Sequence, residues 1–67
     1  MVNKNLLRAK ISLKGDNWKA LCNKVGMYSA TFHSKLRGET EFKASEIREI
    51  KKLYQLTADD VVDIFLS

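Results

Sequence analysis

Between Asn17 and Gly38 the chain reads NWKALCNKVGMYSATFHSKLRG, and its apolar positions form two helical stripes interrupted once. Trp18, Leu21, Cys22 and Val25 fall at i, i+3, i+4 and i+7, the spacing that puts side chains on one face of a helix. Gly26 follows, where a helix end favours a residue that enters the left-handed region without a Cβ clash. Met27 adds an apolar residue in the turn. In the next segment only Phe32 and Leu36 are strongly apolar, again four apart. The opposite side of that segment therefore carries Ser29, Ala30, His33, Ser34 and Arg37. The pattern predicts two short helices joined by a tight turn, with small polar residues on the outer face of the second.

The rest of the chain also reads as short helices, the first of them closed by glycine. A first helix running to about Lys14 would be capped by Asn3 or Asn5. Leu7 and Ile11, four apart, and Leu6 and Leu13, seven apart, predict its aliphatic inward face. Gly15 ends it, and Asn17 is placed to cap the next; Asp16 or Asn17 would complement the positive end of that helix dipole. After Gly38 a loop over 39–43 holds Phe42, expected to fold back on the core. A fourth helix over about 44–54 places Ile47, Ile50 and Tyr54 together, with Glu46 and Glu49 early and Lys51 and Lys52 late, as the dipole favours. Thr57 reads as the cap of a short fifth helix with Asp59 and Asp60 in its first turn and Val61, Ile64 and Phe65 inward. Such a short helix depends on docking for stability.

With 67 residues, no proline and 45% hydrophobic content, the chain reads as one all-α domain, a compact bundle of five short helices. A chain of this length buries only roughly 60% of its unfolded surface. It has little room for a catalytic cleft beside its core, so an enzyme is not expected. The single Cys22 lies on an apolar stripe and reads as a small buried hydrophobe. His33 has no Cys or His partner at ligand spacing, so neither a metal nor a cofactor is expected. The opening MVNKNLLRAK breaks its apolar residues with charges, unlike a secretory signal. No apolar run approaches the ~18 residues that span a bilayer, and a cytoplasmic protein without membrane contacts is expected.

Charge sharpens the picture. Through Gly38 eight basic residues face Asp16 alone, a charge of +7; from Glu39 onward four face seven acids, a charge of −3; together these give the net +4. The basic half contains the predicted helix pair. That division favours a polyanion at the first half, with solvent or a protein at the second.

Five short helices of this order, with Leu21, Cys22, Gly26, Met27, Phe32, Leu36, Gly38 and the later SEIREI segment, resemble the Cro/CI-type repressor family of bacteriophages. This is also called the xenobiotic-response-element-like helix-turn-helix family, and the likeness spans nearly the whole chain. It implies a lambda-repressor-like domain whose second and third helices form the helix-turn-helix. It further implies binding of double-stranded DNA through the major groove, commonly as a dimer on a pseudo-palindromic operator. Carried over by position, Tyr28, Ser29, Ala30 and Ser34 are implied base readers, flanked by Thr31 and His33. Asn17 and Trp18 occupy phosphate-clamping positions at the start of the second helix. Lys19, Lys35 and Arg37 are further phosphate candidates. No small-molecule ligand is implied.

The chain departs from the family pattern at three places. Trp18 stands where glutamine is usual and is equally suited to packing between helices. The reading face lacks leading Gln, Asn or Arg, whose bidentate pairs give about 1–3 kcal/mol of discrimination each. Tyr28 replaces a serine or threonine cap, so Ser29 is expected to cap instead and shift the start of the third helix. Gln55 also stands where glycine often ends the fourth helix. The leading expectation is a Cro-like transcriptional regulator of phage or prophage origin. The alternative is a protein-interaction module or anti-repressor of the same fold. Ile64, Phe65 and Leu66 together offer either a two-fold interface or packing against the first helix.

Overall fold

Runs of helix-forming residues punctuated by Gly15, Gly26 and Gly38 become five α-helices in a computed structural model, which describes residues 2–66. They are α1 (Lys4–Leu13), α2 (Trp18–Val25), α3 (Ser29–Leu36), α4 (Ala44–Leu53) and α5 (Ala58–Val61), the last continuing as a π-helical turn over Val62–Leu66. The described residues contain no strand, and the fold is all-α. The Cα radius of gyration is 10.6 Å, close to the ~11 Å expected for one close-packed body of this length.

Local chemistry sets most boundaries. Asn3, not Asn5, caps α1: its Oδ1 accepts from the Leu6 N–H at 3.1 Å. Asn17 caps α2 in the same way, accepting from the Ala20 N–H at 2.9 Å. Thr57 and Asp60 exchange 3.0 Å bonds, each accepting from the other's backbone N–H, which fixes the start of α5. Gly26 takes φ +70°, and the Met27 N–H folds back to the Cys22 carbonyl at 3.0 Å. That turn brings α3 round against α2.

The core draws on every element. Leu7 and Ile11 from α1, Leu21 and Cys22 from α2, and Phe32 and Leu36 from α3 are buried together with Ile50, Tyr54, Leu56, Ile64 and Phe65. Phe32 is the hub, with its ring 5.3 Å from Trp18 and 5.8 Å from Phe42. Phe42 in turn lies 5.2 Å from Phe65, so the 39–43 loop folds back on the core as expected. Burying a phenylalanine of this kind is worth roughly 1.5–3 kcal/mol. The position of α3 is therefore held by one large aromatic contact set.

Two expectations need correction. Leu13 is 81% exposed and does not join the inward face of α1. Leu6, seven residues earlier, sits only at the edge of that face, and α1 ends before any partner reaches Leu13. The start of α3 does not slip: Tyr28 takes the extended N-cap backbone, φ −67° and ψ 143°, and Ser29 is the first helical residue. The Gly26 turn fixes this register before any side-chain cap can choose another. Asp16, just before the Asn17 cap, accepts from Lys24 Nζ at 2.6 Å and from the Tyr54 hydroxyl at 2.8 Å. These two bonds hold its carboxyl below the usual range, against a smaller opposing push from burial.

Gln55 adopts φ +52°, the left-handed conformation expected at that helix end. Non-glycine residues pay about 1 kcal/mol or more there. The conformation lets the Leu56 N–H reach the Lys51 carbonyl at 2.9 Å and turns Leu56 into the core.

Candidate nucleic-acid interface

Two helix N-termini, of α2 and α3, meet at one open depression. Asn17, Trp18 and Lys19 line it from α2, and Tyr28, Ser29 and His33 from α3, with Asn23 and Met27 between. Six residues assigned to phosphate contact or base reading by position thus share one concave surface. Ala30 and Thr31 are exposed on the adjoining turn of α3.

The depression presents hydrogen-bond donors. Asn17 satisfies the Ala20 N–H, and the Leu21 N–H bonds the Asn17 carbonyl. That leaves the N–H groups of Trp18 and Lys19 as the orphan donors of α2. At α3 no side chain caps the helix at all, because a tyrosine at the cap position cannot return its hydroxyl to its own first turn. A missing cap typically costs about 1 kcal/mol. The uncapped N–H groups of the first turn, with the positive end of the dipole behind them, suit an anion or a base acceptor.

Side chains complete the surface. Tyr28 is 85% exposed and stands at the lip. Trp18 is half-buried, packed on Phe32 beneath and covered by the Arg8 guanidinium, whose Cζ lies 5.6 Å from the indole centroid. Trp18 therefore packs between helices and also lines the surface. His33 is half-buried with its ring edge-on to Phe32 at 5.7 Å. Lys19 is exposed, and no described carboxylate pairs with it or with Arg8.

The C-terminal end of α3 is different. Lys35 is only 6% exposed. Its Nζ donates to Glu46 Oε1 at 2.7 Å, over the Phe42 ring. Burial pushes the Glu46 carboxyl up, but the Lys35 ammonium and the Lys43 backbone N–H outweigh it and hold the group below its ordinary value. Lys35 is thus a structural cation, not a phosphate contact as its position implied. It lies three residues after Phe32, so the turn of the helix carries it inward. Arg37 is exposed but donates through Nε to Glu39 Oε2 at 2.8 Å and through Nη2 to Oε1 at 3.3 Å. Ser34, half-buried, donates to the same Oε1 at 3.3 Å.

Charge segregation along the chain is largely undone in space. Four of the eight basic residues in the first half are paired: Lys10 with Asp60, Lys24 with Asp16, Lys35 with Glu46 and Arg37 with Glu39. Three of those acids come from the second half. Lys14 Nζ donates instead to the neutral Gln55 side chain at 2.8 Å. Of the eight, Lys4, Arg8 and Lys19 have neither kind of partner; Lys19 lines the depression and Arg8 covers Trp18, which lines it.

Arg8 is the cation beside this depression that sequence position misses. Nothing in its spacing connects it to Trp18; only the packing of α1 beside the start of α2 does. Asn23 was missed for a simpler reason, since it precedes the turn and lies off the apolar stripe of α2. Among the described residues, no cluster of three or more His, Cys, Asp or Glu side chains is arranged to hold a metal. No helix among them is long and apolar enough to cross a membrane.

No family model, curated protein or solved structure matches this chain.

Proposed function

We propose that this chain is a sequence-specific, double-stranded DNA-binding transcriptional regulator, a Cro-like repressor of phage or prophage type acting by operator occupancy. The observation that carries this reading is the convergence of two helix N-termini on one open surface, with Lys19 in its lining and Arg8 stacked on Trp18, neither of them ion-paired. In this reading α3 enters the major groove by its first turn, with Tyr28, Ser29, Ala30, Thr31 and His33 facing base edges. Asn17, Trp18, Lys19 and Arg8 hold the flanking phosphates. Serine and alanine discriminate weakly among bases, so DNA shape and bridging water carry much of the preference.

Binding to mixed-sequence duplex DNA across a salt series tests the reading. Contact with about 3–5 phosphates per subunit gives a log–log slope near −3 to −5. No binding at about 50 mM salt, where such contacts are strongest, overturns it. Selection from a random duplex pool then reports whether a preferred sequence exists.

One observation favours a second reading, a protein-interaction module or anti-repressor. Lys35 and Arg37, both expected on phosphates, are engaged by the chain's own carboxylates. Loss of the salt-dependent DNA term would select this reading. A homodimer through the C-terminal segment is part of the proposal: Ile64 and Phe65 are buried within the subunit, while Val62 and Leu66 remain 49% and 67% exposed. Sedimentation at micromolar concentration distinguishes monomer from dimer.

A further inference from the structure

At the C-terminal end of α3, Arg37 and Ser34 point their donors at one carboxylate. Glu39 receives Nε of Arg37 at 2.8 Å, Nη2 at 3.3 Å and the Ser34 hydroxyl at 3.3 Å. A forked guanidinium and a hydroxyl converging on two oxygens of one anion is the arrangement that also grips a phosphate. The backbone supports it: the Glu39 N–H donates to the Ser34 carbonyl at 3.0 Å, closing the chain back on the end of the helix. Gly38, at φ +81°, makes that reversal possible. The carboxylate is thus delivered to Arg37 by the fold of the turn.

We infer that Arg37 and Ser34 form a phosphodiester-binding site of the DNA interface, held in the free protein by Glu39 as an internal competitor that DNA must displace. The inference rests on the DNA-binding reading and deepens it. It also moves Ser34 from reading bases to holding backbone. Arg37 and Glu39 are 56% and 58% exposed in their side chains, so the pair is screened by water and salt and is weak enough to exchange. Glu39 consequently lowers affinity for every sequence alike and leaves base preference to the first turn of α3.

The experiment measures duplex DNA affinity, by fluorescence anisotropy over a salt series, for the wild-type chain and for Glu39→Gln, Glu41→Gln, Arg37→Ala and the pair Glu39→Gln with Arg37→Ala. Glu41 is an exposed carboxylate two residues on and controls for loss of charge alone. Glu39→Gln is expected to tighten binding about three- to ten-fold with little change in the salt slope, because Arg37 meets the same phosphate in both complexes once Glu39 is displaced. Glu41→Gln should change affinity less than about two-fold. Arg37→Ala should cost about two-fold in the wild-type chain and about ten-fold beside Glu39→Gln, a coupling that a double-mutant cycle isolates. Glu39→Ala, with the same direction expected, checks that the result is not peculiar to glutamine.

If the wild-type chain binds DNA but Glu39→Gln matches it or matches Glu41→Gln, the internal competitor is refuted and the DNA-binding reading stands. Equal losses from Arg37→Ala in both backgrounds refute it in the same way. If neither the wild-type chain nor any variant binds at about 50 mM salt, both readings fall together.

Discussion

Ser29 and Lys35 belong to the same eight-residue helix, yet their surroundings are opposite. The first turn of α3 is exposed, uncapped and free of carboxylates, with Arg8 and Lys19 nearby. The last turn is packed on Phe42 and Glu46 or tied to Glu39. One end keeps its polar groups unsatisfied and available; the other satisfies them internally. A charged residue on a candidate binding helix therefore says little until the fold shows which end it serves. Burial turns a cation into a structural partner, because an ammonium removed from water needs its counter-ion.

The largest effect that would test this contrast is at Lys35. Lys35→Ala should lower stability by about 2 kcal/mol, since it strands the partly buried Glu46 carboxylate. Thermal unfolding should register it as a fall of roughly 10 °C or more for a domain of this size. The salt slope of DNA binding, measured where the variant is folded, should not change. A shallower slope with unaltered stability would return Lys35 to the phosphate contacts and erase the distinction between the two ends.

At the other end the expectation reverses. Lys19→Ala and Arg8→Ala should each weaken DNA binding about five- to ten-fold and make the salt slope shallower by about 0.9. Their effect on stability should stay within about 0.5 kcal/mol for Lys19 and reach up to about 1 kcal/mol for Arg8, which also loses its stack on Trp18. If Arg8→Ala destabilises the fold without altering DNA affinity, its guanidinium only covers the indole.

Smaller still is the effect at Gln55, remote from both ends of α3. Gln55→Gly should raise stability by about 1 kcal/mol by relieving the left-handed backbone, and leave DNA affinity unchanged. Equilibrium denaturation in urea reports the first and anisotropy the second.

Acid sharpens the comparison in a graded way. Asp16 and Glu46 are both held below their ordinary values of 3.8 and 4.5. Depressed carboxylates stabilise the fold fully above the unfolded values and lose that contribution as pH falls through the folded ones. The melting temperature should therefore be level near neutrality and decline once pH drops below about 4.5. Glu46→Gln should start lower and decline less. A melting temperature that rises on acidification would show that neither ion pair supports the fold.

Much of this protein could be read in advance because its signals are local. Asn17, Gly26 and Thr57 mark helix ends through bonds within a few residues, and the Trp18–Val25 stripe needs only the period of a helix. The outward first turn of α3 follows as well, since Phe32 and Leu36 dictate which side faces in. Leu13 escaped that reasoning because periodicity gives a direction but not whether a partner waits there. The start of α3 escaped it because the preceding turn, not cap chemistry, sets the register.

What the chain determined by itself, then, is its helices, their ends and the face that α3 shows to solvent, all consequences of backbone geometry and hydrophobic spacing. Tertiary structure alone decided which charges remain available. Coulombic pairing acts across space and ignores sequence distance, so Glu46 reaches back to Lys35 and Asp60 to Lys10, while Arg8 is brought to Trp18 unopposed. The eight basic residues of the first half became a small cationic margin beside two helix N-termini only when the acidic half folded against them.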